Sequence, residues 1–176
     1  MKFHPTAFAD AWLVDLEPVR DQRGFFARTF CVEEFTRHGL VAHYPQHSIS
    51  FTIKRGSLRG MHFNSDPSSE AKLVRCTRGA IWDVIIDIRH NSPTFRRWQH
   101  FELVSEHGGQ LYVPKGFAHG FQTLSDDVEV SYLISRPYEP GAARGIRYDD
   151  PFFGIQWPLP VSEISEKDLT WPRFTG

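Results

Sequence analysis

Strand-like runs follow one another through the middle of this chain at short, even intervals, and no helical pattern separates them. The runs are His47–Ile53, Ser57–Phe63, Lys72–Thr77, Ala80–Ile88, Trp98–Val104, Gln110–Val113, Phe121–Leu124 and Val128–Ser135. Turn residues punctuate them: Lys54-Arg55-Gly56, Asn64-Ser65-Asp66-Pro67, Arg78-Gly79, His90-Asn91-Ser92-Pro93, Gly108-Gly109 and Ser125-Asp126-Asp127. Strands repeating every 8–12 residues or so predict an all-β sandwich or barrel. Without helices between them, parallel βαβ units are excluded. A short helix is expected over Phe30–His38, stopped by Gly39. Beyond Ser135 the chain is irregular and Pro-rich, so it is expected to wrap the barrel and end in a helical turn near Ser162–Leu169.

The 176 residues suit one domain spanning positions 1–176. Fifteen Phe, five Trp and five Tyr give the core or cleft many flat rings. The net charge of −1 argues against a general nucleic-acid binder, which carries a basic excess. No apolar run approaches the roughly 18 residues of a membrane span, and no signal-peptide apolar stretch follows the N-terminus, so a cytoplasmic protein is expected. Cys31 and Cys76 have no metal-type spacing and are taken as apolar core thiols.

Of nine histidines, His4, His38, His90, His100 and His107 fall in termini, turns or polar stretches and are taken as solvated. His62 lies in Leu58-Arg59-Gly60-Met61-His62-Phe63-Asn64. His119 lies in Pro114-Lys115-Gly116-Phe117-Ala118-His119-Gly120-Phe121, where one strand is expected to end and the next to begin. Either histidine alone suits a structural role; together on a barrel they suggest a shared site. Alternation places Val128, Val130, Tyr132 and Ile134 on one apolar, inward face, where a phenol is a packed core group or a cavity acid. Strict alternation also puts Arg59 and His62 on opposite faces. A bulge or kink at Gly60 is predicted if both are to reach one ligand.

These segments resemble the cupins, whose metal-binding members supply an HxH pair, a Glu and a further His. Here the pair is reduced to His62-Phe63-Asn64, with Glu70 as the available acid, so a cupin-type jelly-roll barrel without a catalytic metal is expected. A metal-dependent isomerase or oxygenase using His62, Glu70 and His119 is the enzymatic alternative. A non-catalytic sugar-nucleotide-binding barrel is the other.

Longer matches resemble one branch, the dTDP-4-dehydrorhamnose 3,5-epimerase family. They are Arg59-Gly60-Met61-His62-Phe63, Lys72–Val84, Asp87-Ile88-Arg89, Ser92–Phe95, Val113–Phe121, Asp150-Pro151, Ile155-Gln156-Trp157-Pro158 and Ser165-Glu166-Lys167-Asp168. The resemblance implies epimerisation at C3, C5 or both in a nucleotide-diphospho-4-keto-6-deoxy sugar, with no cofactor, in deoxysugar biosynthesis. Such chemistry needs a base, a cation or donor at the enolate oxygen and an acid on the other face. By resemblance His62 is the base, Asp168 its orienting carboxylate, Lys72 the cation and Tyr132 the acid. His119 and Lys167 are implied as substrate contacts, Arg23 and Arg59 as diphosphate contacts and Tyr138 as a stacking platform for the base.

The chain departs from the family around the nucleotide. Arg28 stands where the family has Glu, and a Gln-x-Asn element aligns best with His47-Ser48-Ile49. A late acidic contact near Ala142-Ala143 is missing. Hence Arg28 and His47 are further candidate nucleotide contacts, and a dTDP-, CDP- or GDP-linked substrate is expected. A homodimer is also expected, partly because the apolar N-terminal strand pieces need a partner.

Overall fold

Period-two patterning sorts the strands into two facing sheets. The structure is a computed structural model and describes residues 1–66 and 70–175, so Pro67 of the predicted turn lies outside the described residues. One sheet has the order β1 (Lys2–Pro5), β2 (Trp12–Asp15), β10 (Gln110–Val113), β7 (Lys72–Arg78), β12 (Val128–Ile134) and β5 (Gln46–Thr52). The other runs β13 (Ala143–Gly145), β6 (Leu58–Asn64), β11 (Phe117–Thr123), β8 (Ala80–Asp87) and β9 (Trp98–Val104). A separate hairpin pairs β3 (Val19–Asp21) with β4 (Gly24–Phe26). From β5 to β8 the chain changes sheet at every strand, the winding of the expected cupin-type jelly roll.

Each inward face supplies the core between the sheets, including Val74, Cys76, Ile81, Ile85, Leu111, Phe121, Val128 and Val130. The run Ile81–Ile86 reads as nearly continuous apolar sequence because both faces of β8 are covered. Val84 and Ile86 point outward, where Ile146, Phe153 and Trp157 of the C-terminal wrap pack on them. Helix α1 (Val32–Arg37) places fully buried Phe35 on Leu73 and Tyr112, the outer side of the first sheet. It is shorter than the expected Phe30–His38, and the half-exposed Cys31 is its N-cap rather than a core thiol. Strand β11 starts at Phe117, not Phe121, because the turn closes at Gly116, whose φ is +83°. His119 therefore sits within a strand and not between two.

The irregularity expected at Gly60 is present. His62 pairs with His119, but Arg59 pairs with Phe121, so β6 carries one residue more than β11 over this stretch. Gly60 has φ +133°, and a Cβ there would lie 2.5 Å from Gly120 Cα. The extra residue turns Arg59 and His62 to the same cavity.

The C-terminal segment is tied down along its length. Leu58 N–H donates to Glu163 C=O at 2.8 Å, Arg147 Nη1 to Leu169 C=O at 2.9 Å, and Phe174 N–H to Asp150 Oδ2 at 2.6 Å. Ser165 caps α2 (Glu166–Leu169), its hydroxyl accepting the Asp168 N–H at 3.1 Å. These ties fix the position of Asp168.

At the far end of β8, buried Asp87 collects the Arg89 fork (2.9 and 2.8 Å), the Ser92 and Thr94 hydroxyls (2.6 Å each) and the Arg89 N–H (3.0 Å). Burial alone would raise its carboxyl, but these donors hold it down at about 2.

Two outcomes follow from this framework. Gly60→Ala must push the β6 and β11 backbones apart; urea unfolding is expected to show a loss of about 2 kcal/mol or more, with turnover lost as Arg59 and His62 swing off the cavity. Asp87→Ala takes from Arg89 its bidentate partner and leaves it the longer contact to exposed Asp10 at 3.4 Å, and urea unfolding at pH 7 is expected to show a loss of about 3 kcal/mol. Because the folded carboxyl titrates below the unfolded one, its contribution is complete above about pH 4 and falls away towards pH 2. In Asp87→Ala that part of the acid destabilisation should be absent from the stability profile measured over the same range.

Candidate active site

Between the two sheets the barrel opens into a cavity of about 820 Å³, large enough for a small-molecule ligand of nucleotide-sugar size. His62 from β6 and His119 from β11 reach it from one sheet, and Lys72 from β7 and Tyr132 from β12 reach it from the other. Asp168 and Lys167 enter from α2. Sequence reasoning named all six.

His62 Nε2 lies 2.6 Å from Asp168 Oδ1. The carboxylate is 4% exposed and takes two more donors, Gly60 N–H at 3.3 Å and Trp171 Nε1–H at 3.0 Å. Burial raises the Asp168 carboxyl, but the His62 bond, the imidazole's attraction and the Gly60 and Trp171 donors outweigh it, so its pKa is lowered. Bonding through Nε2 to an ionised acid leaves Nδ1 as the nitrogen that can accept a proton, the arrangement of an oriented general base.

His119 is engaged in a parallel way, its Nε2 2.5 Å from Oδ1 of Asp83, which is wholly buried. His119 and His62 are cross-strand partners, so the two imidazole–carboxylate pairs stand side by side on one wall. The Tyr132 hydroxyl lies 3.0 Å from Ser50 Oγ. Burial pushes its phenol pKa upward and the Ser50 bond only partly offsets this, so Tyr132 keeps its proton at neutral pH. Tyr132 packs on the inter-sheet core and also lines the cavity.

Lys72 Nζ pairs with Glu70 Oε1 at 3.1 Å, both side chains largely buried. Glu70 is therefore bound to the lysine. Among the described residues no three His, Cys, Asp or Glu side chains converge as metal ligands.

The nucleotide candidates divide. Arg59 lines the cavity, steadied by Thr52 Oγ1 at 3.0 Å and Phe51 C=O at 3.2 Å. Tyr138 is 72% exposed and lines a smaller adjoining pocket of about 200 Å³ that shares His62, Lys72 and Lys167 with the main cavity. Three candidates stand outside the cavity of a single chain. Arg23 projects from the β3–β4 hairpin and pairs with Asp21 at 2.5 Å. Arg28 pairs with Glu34 at 3.3 Å beside α1. His47 is exposed because period two in β5 sends it outward and turns Ser48 and Ser50 inward. The alignment on His47 was thus one residue out of phase. Ser48 and Ser50 line the cavity in its place, and Gln46 Oε1 accepts the Tyr138 N–H at 2.6 Å, tying β5 to the Tyr138 loop. Alternation along β5 was the signal that could have found them.

Residues 5–176 match the family model described as dTDP-4-dehydrorhamnose 3,5-epimerase. A curated dTDP-4-dehydrorhamnose 3,5-epimerase of Sinorhizobium fredii (strain NBRC 101917 / NGR234) is 40% identical over 99% of this chain and 90% of its own length. The crystal structure of the Bacillus anthracis str. Ames dTDP-4-dehydrorhamnose 3,5-epimerase with TDP and PPi bound superposes with a TM-score of 0.95, at 35% identity, covering 98% of this chain and 99% of that one. A Legionella pneumophila Philadelphia 1 dTDP-6-deoxy-D-glucose-3,5-epimerase in complex with dTDP-4-keto-L-rhamnose gives a TM-score of 0.92 at 33% identity, covering 98% of this chain and 92% of that one. Matched in sequence over nearly its whole length and in fold by superposition, this chain belongs to the dTDP-4-dehydrorhamnose 3,5-epimerase family.

Proposed function

We propose that this chain inverts C3 and C5, the carbons flanking the ketone, in a thymidine-diphospho-4-keto-6-deoxyhexose. The observation that carries the mechanism is that a carboxylate-held imidazole and a protonated phenol enter one cavity from opposite sheets. His62 Nδ1 takes the proton from the carbon beside the ketone. The C–H electron pair becomes the enolate double bond, and the ketone oxygen gains the negative charge. Lys72 stabilises that oxygen as a point charge, with His119 beside it. Asp168 stabilises the imidazolium. The Tyr132 O–H then delivers a proton to the same carbon from the other face, the ketone re-forms, and the phenolate and imidazolium return to their starting states by exchange with water. Repetition at the second carbon uses the same groups.

Arg59 and Lys167 suit the diphosphate, and Tyr138 suits the base as an exposed ring at the mouth. Thymidine is favoured because the related structures hold TDP or a dTDP-sugar. Both carbons are favoured because the family and the Sinorhizobium relative carry the 3,5 name. Such an activity belongs to the making of deoxysugars for surface glycans or glycosylated products, and no helix among the described residues is long and apolar enough to cross a membrane.

The reading includes a homodimer, on different grounds from those in the sequence. The N-terminal strand pieces find partners in their own chain, β2 pairing with β1 and β10. The exposed apolar groups that a partner could cover include Val19, Phe25 and Phe26 on the hairpin, Ile49 and Phe51 on β5 and Ile53 just beyond it, each between 46% and 77% exposed. A second copy covering them would also bring the hairpin's Arg23 to a neighbouring site. Light scattering at micromolar concentration should give twice the chain mass, and Phe26→Asp combined with Ile49→Asp should halve it; a wild-type monomer would remove the dimer.

The mechanism is tested by solvent deuterium uptake into dTDP-4-keto-6-deoxyglucose. His62→Ala should slow uptake by about 10²- to 10⁴-fold. Tyr132→Phe should retain uptake at the first carbon while losing inverted product by a similar factor. Uptake at the wild-type rate in His62→Ala would remove the assigned base.

A further inference from the structure

Asp168 Oδ1 is shared. It meets His62 Nε2 at 2.6 Å and also accepts the indole N–H of Trp171 at 3.0 Å. The Trp171 ring stands edge-to-face to the His62 ring, with centroids 6.4 Å apart and planes at 73°. Its other connection is to Lys167, whose ammonium lies 5.2 Å from the ring centroid. Trp171 does not line the cavity. The seat for the indole is cut by Gly145 of β13: a Cβ at that glycine would lie 2.4 Å from Trp171 Cε2 and Nε1. One side chain outside the cavity therefore touches the base, the carboxylate that orients it and the cation beside them.

We propose that Trp171 is a positioning residue for the His62–Asp168 pair and for Lys167; the proposal rests on the epimerase mechanism given above. A carboxylate can rotate about its C–C bond and offer the imidazole either oxygen or neither. Here one oxygen faces the Gly60 N–H and the other is held by the indole N–H, so both ends of the carboxylate are fixed, the second by a side chain outside the cavity lining. The imidazole plane is fixed in turn, because its bond to Oδ1 is the one that sets its direction. Cation–π attraction holds Lys167 over the same ring and keeps its ammonium at the junction of the two pockets.

The decisive variant is Trp171→Phe, which keeps an aromatic ring while deleting the N–H and the fused second ring. It should lower kcat for epimerisation about tenfold, the scale of a lost hydrogen bond to a charged group, with KM within about twofold and a melting temperature within a few degrees of wild type. Gly145→Ala is the companion variant. It removes no polar group but displaces the indole, and should lower kcat to a similar extent. In the wild type, the indole N–H resonance of Trp171, assigned by its loss in Trp171→Phe, should shift in Asp168→Asn, which removes the charge it bonds. Unchanged kcat in Trp171→Phe, or an indole resonance indifferent to Asp168→Asn, would overturn the proposal. So would a kcat loss matched by an equal loss of folded protein in both variants. If the wild type itself takes up no deuterium into the keto sugar, the epimerase reading fails and not this one alone; if it does and Trp171→Phe equals it, only the role of Trp171 fails.

Discussion

The bond between His62 Nε2 and Asp168 Oδ1 joins two parts of the chain 106 residues apart, and the site is organised around it. A barrel strand alone could present His62, but an imidazole with an unassigned tautomer and a rotating plane is a poor base. The partner comes from a four-residue helix in the C-terminal segment, too short to be stable on its own. The Leu58, Arg147 and Phe174 hydrogen bonds hold that segment on the barrel, and the Ser165 cap closes the helix around the Asp168 N–H. Tail docking and assembly of the His62–Asp168 pair are thus one event. The wrapping strand-poor segment after Ser135 has a chemical task as well as the task of covering the outer face of β8.

A jelly roll is suited to a reaction on both faces of a ring because its cavity has two walls of different origin. His62 and His119 come from neighbouring strands of one sheet, and Lys72 and Tyr132 from the opposing sheet. The bulge makes the first wall possible. Without the extra residue in β6, Arg59 and His62 would alternate, and one of them would face away. Gly60 and Gly120 allow the two backbones to approach closely enough for it, since a side chain on either would meet the other strand's backbone at under 3 Å.

Much of this could be read before any coordinates. Trp98–Val104 and Gln110–Val113 match their strands end to end, because turn residues bound both sides. His62, Lys72, His119, Lys167 and Asp168 were also legible, since each lies in a motif whose order along the chain is informative, and Tyr132 was reached through the alternation of Val128–Ile134. What escaped were features with weak local signals. Strand β13 is only Ala143-Arg144-Gly145, without a β-branched or aromatic residue, and pairs because β6 offers it an edge. The start of β11 was missed because Ala118 and Gly120 have low strand propensity and are fixed by burial on both sides. His47 was misassigned by one position, and in a strand one position is the difference between cavity and solvent. Arg23 and Arg28 lie where one chain cannot say what they touch: each is exposed and balanced by a nearby carboxylate, Asp21 or Glu34.

The same cavity drives the carboxyl of Asp168 and the phenol of Tyr132 in opposite directions, the division that the proposed mechanism needs at neutral pH. Asp168 and Tyr132 are both desolvated, and desolvation by itself would push both towards their neutral forms. The outcome differs because of what surrounds each. Asp168 receives three donors, so its charged form prevails and stands ready to stabilise an imidazolium. Tyr132 has a single hydroxyl partner in Ser50 and an apolar floor of inter-sheet core, so its neutral form prevails and it retains a proton to give. A polar network under one wall and a hydrophobic core under the other therefore distinguish the two groups; the first is assembled by the bulged β6 together with the docked C-terminal segment, the second by the alternation of residues along β12.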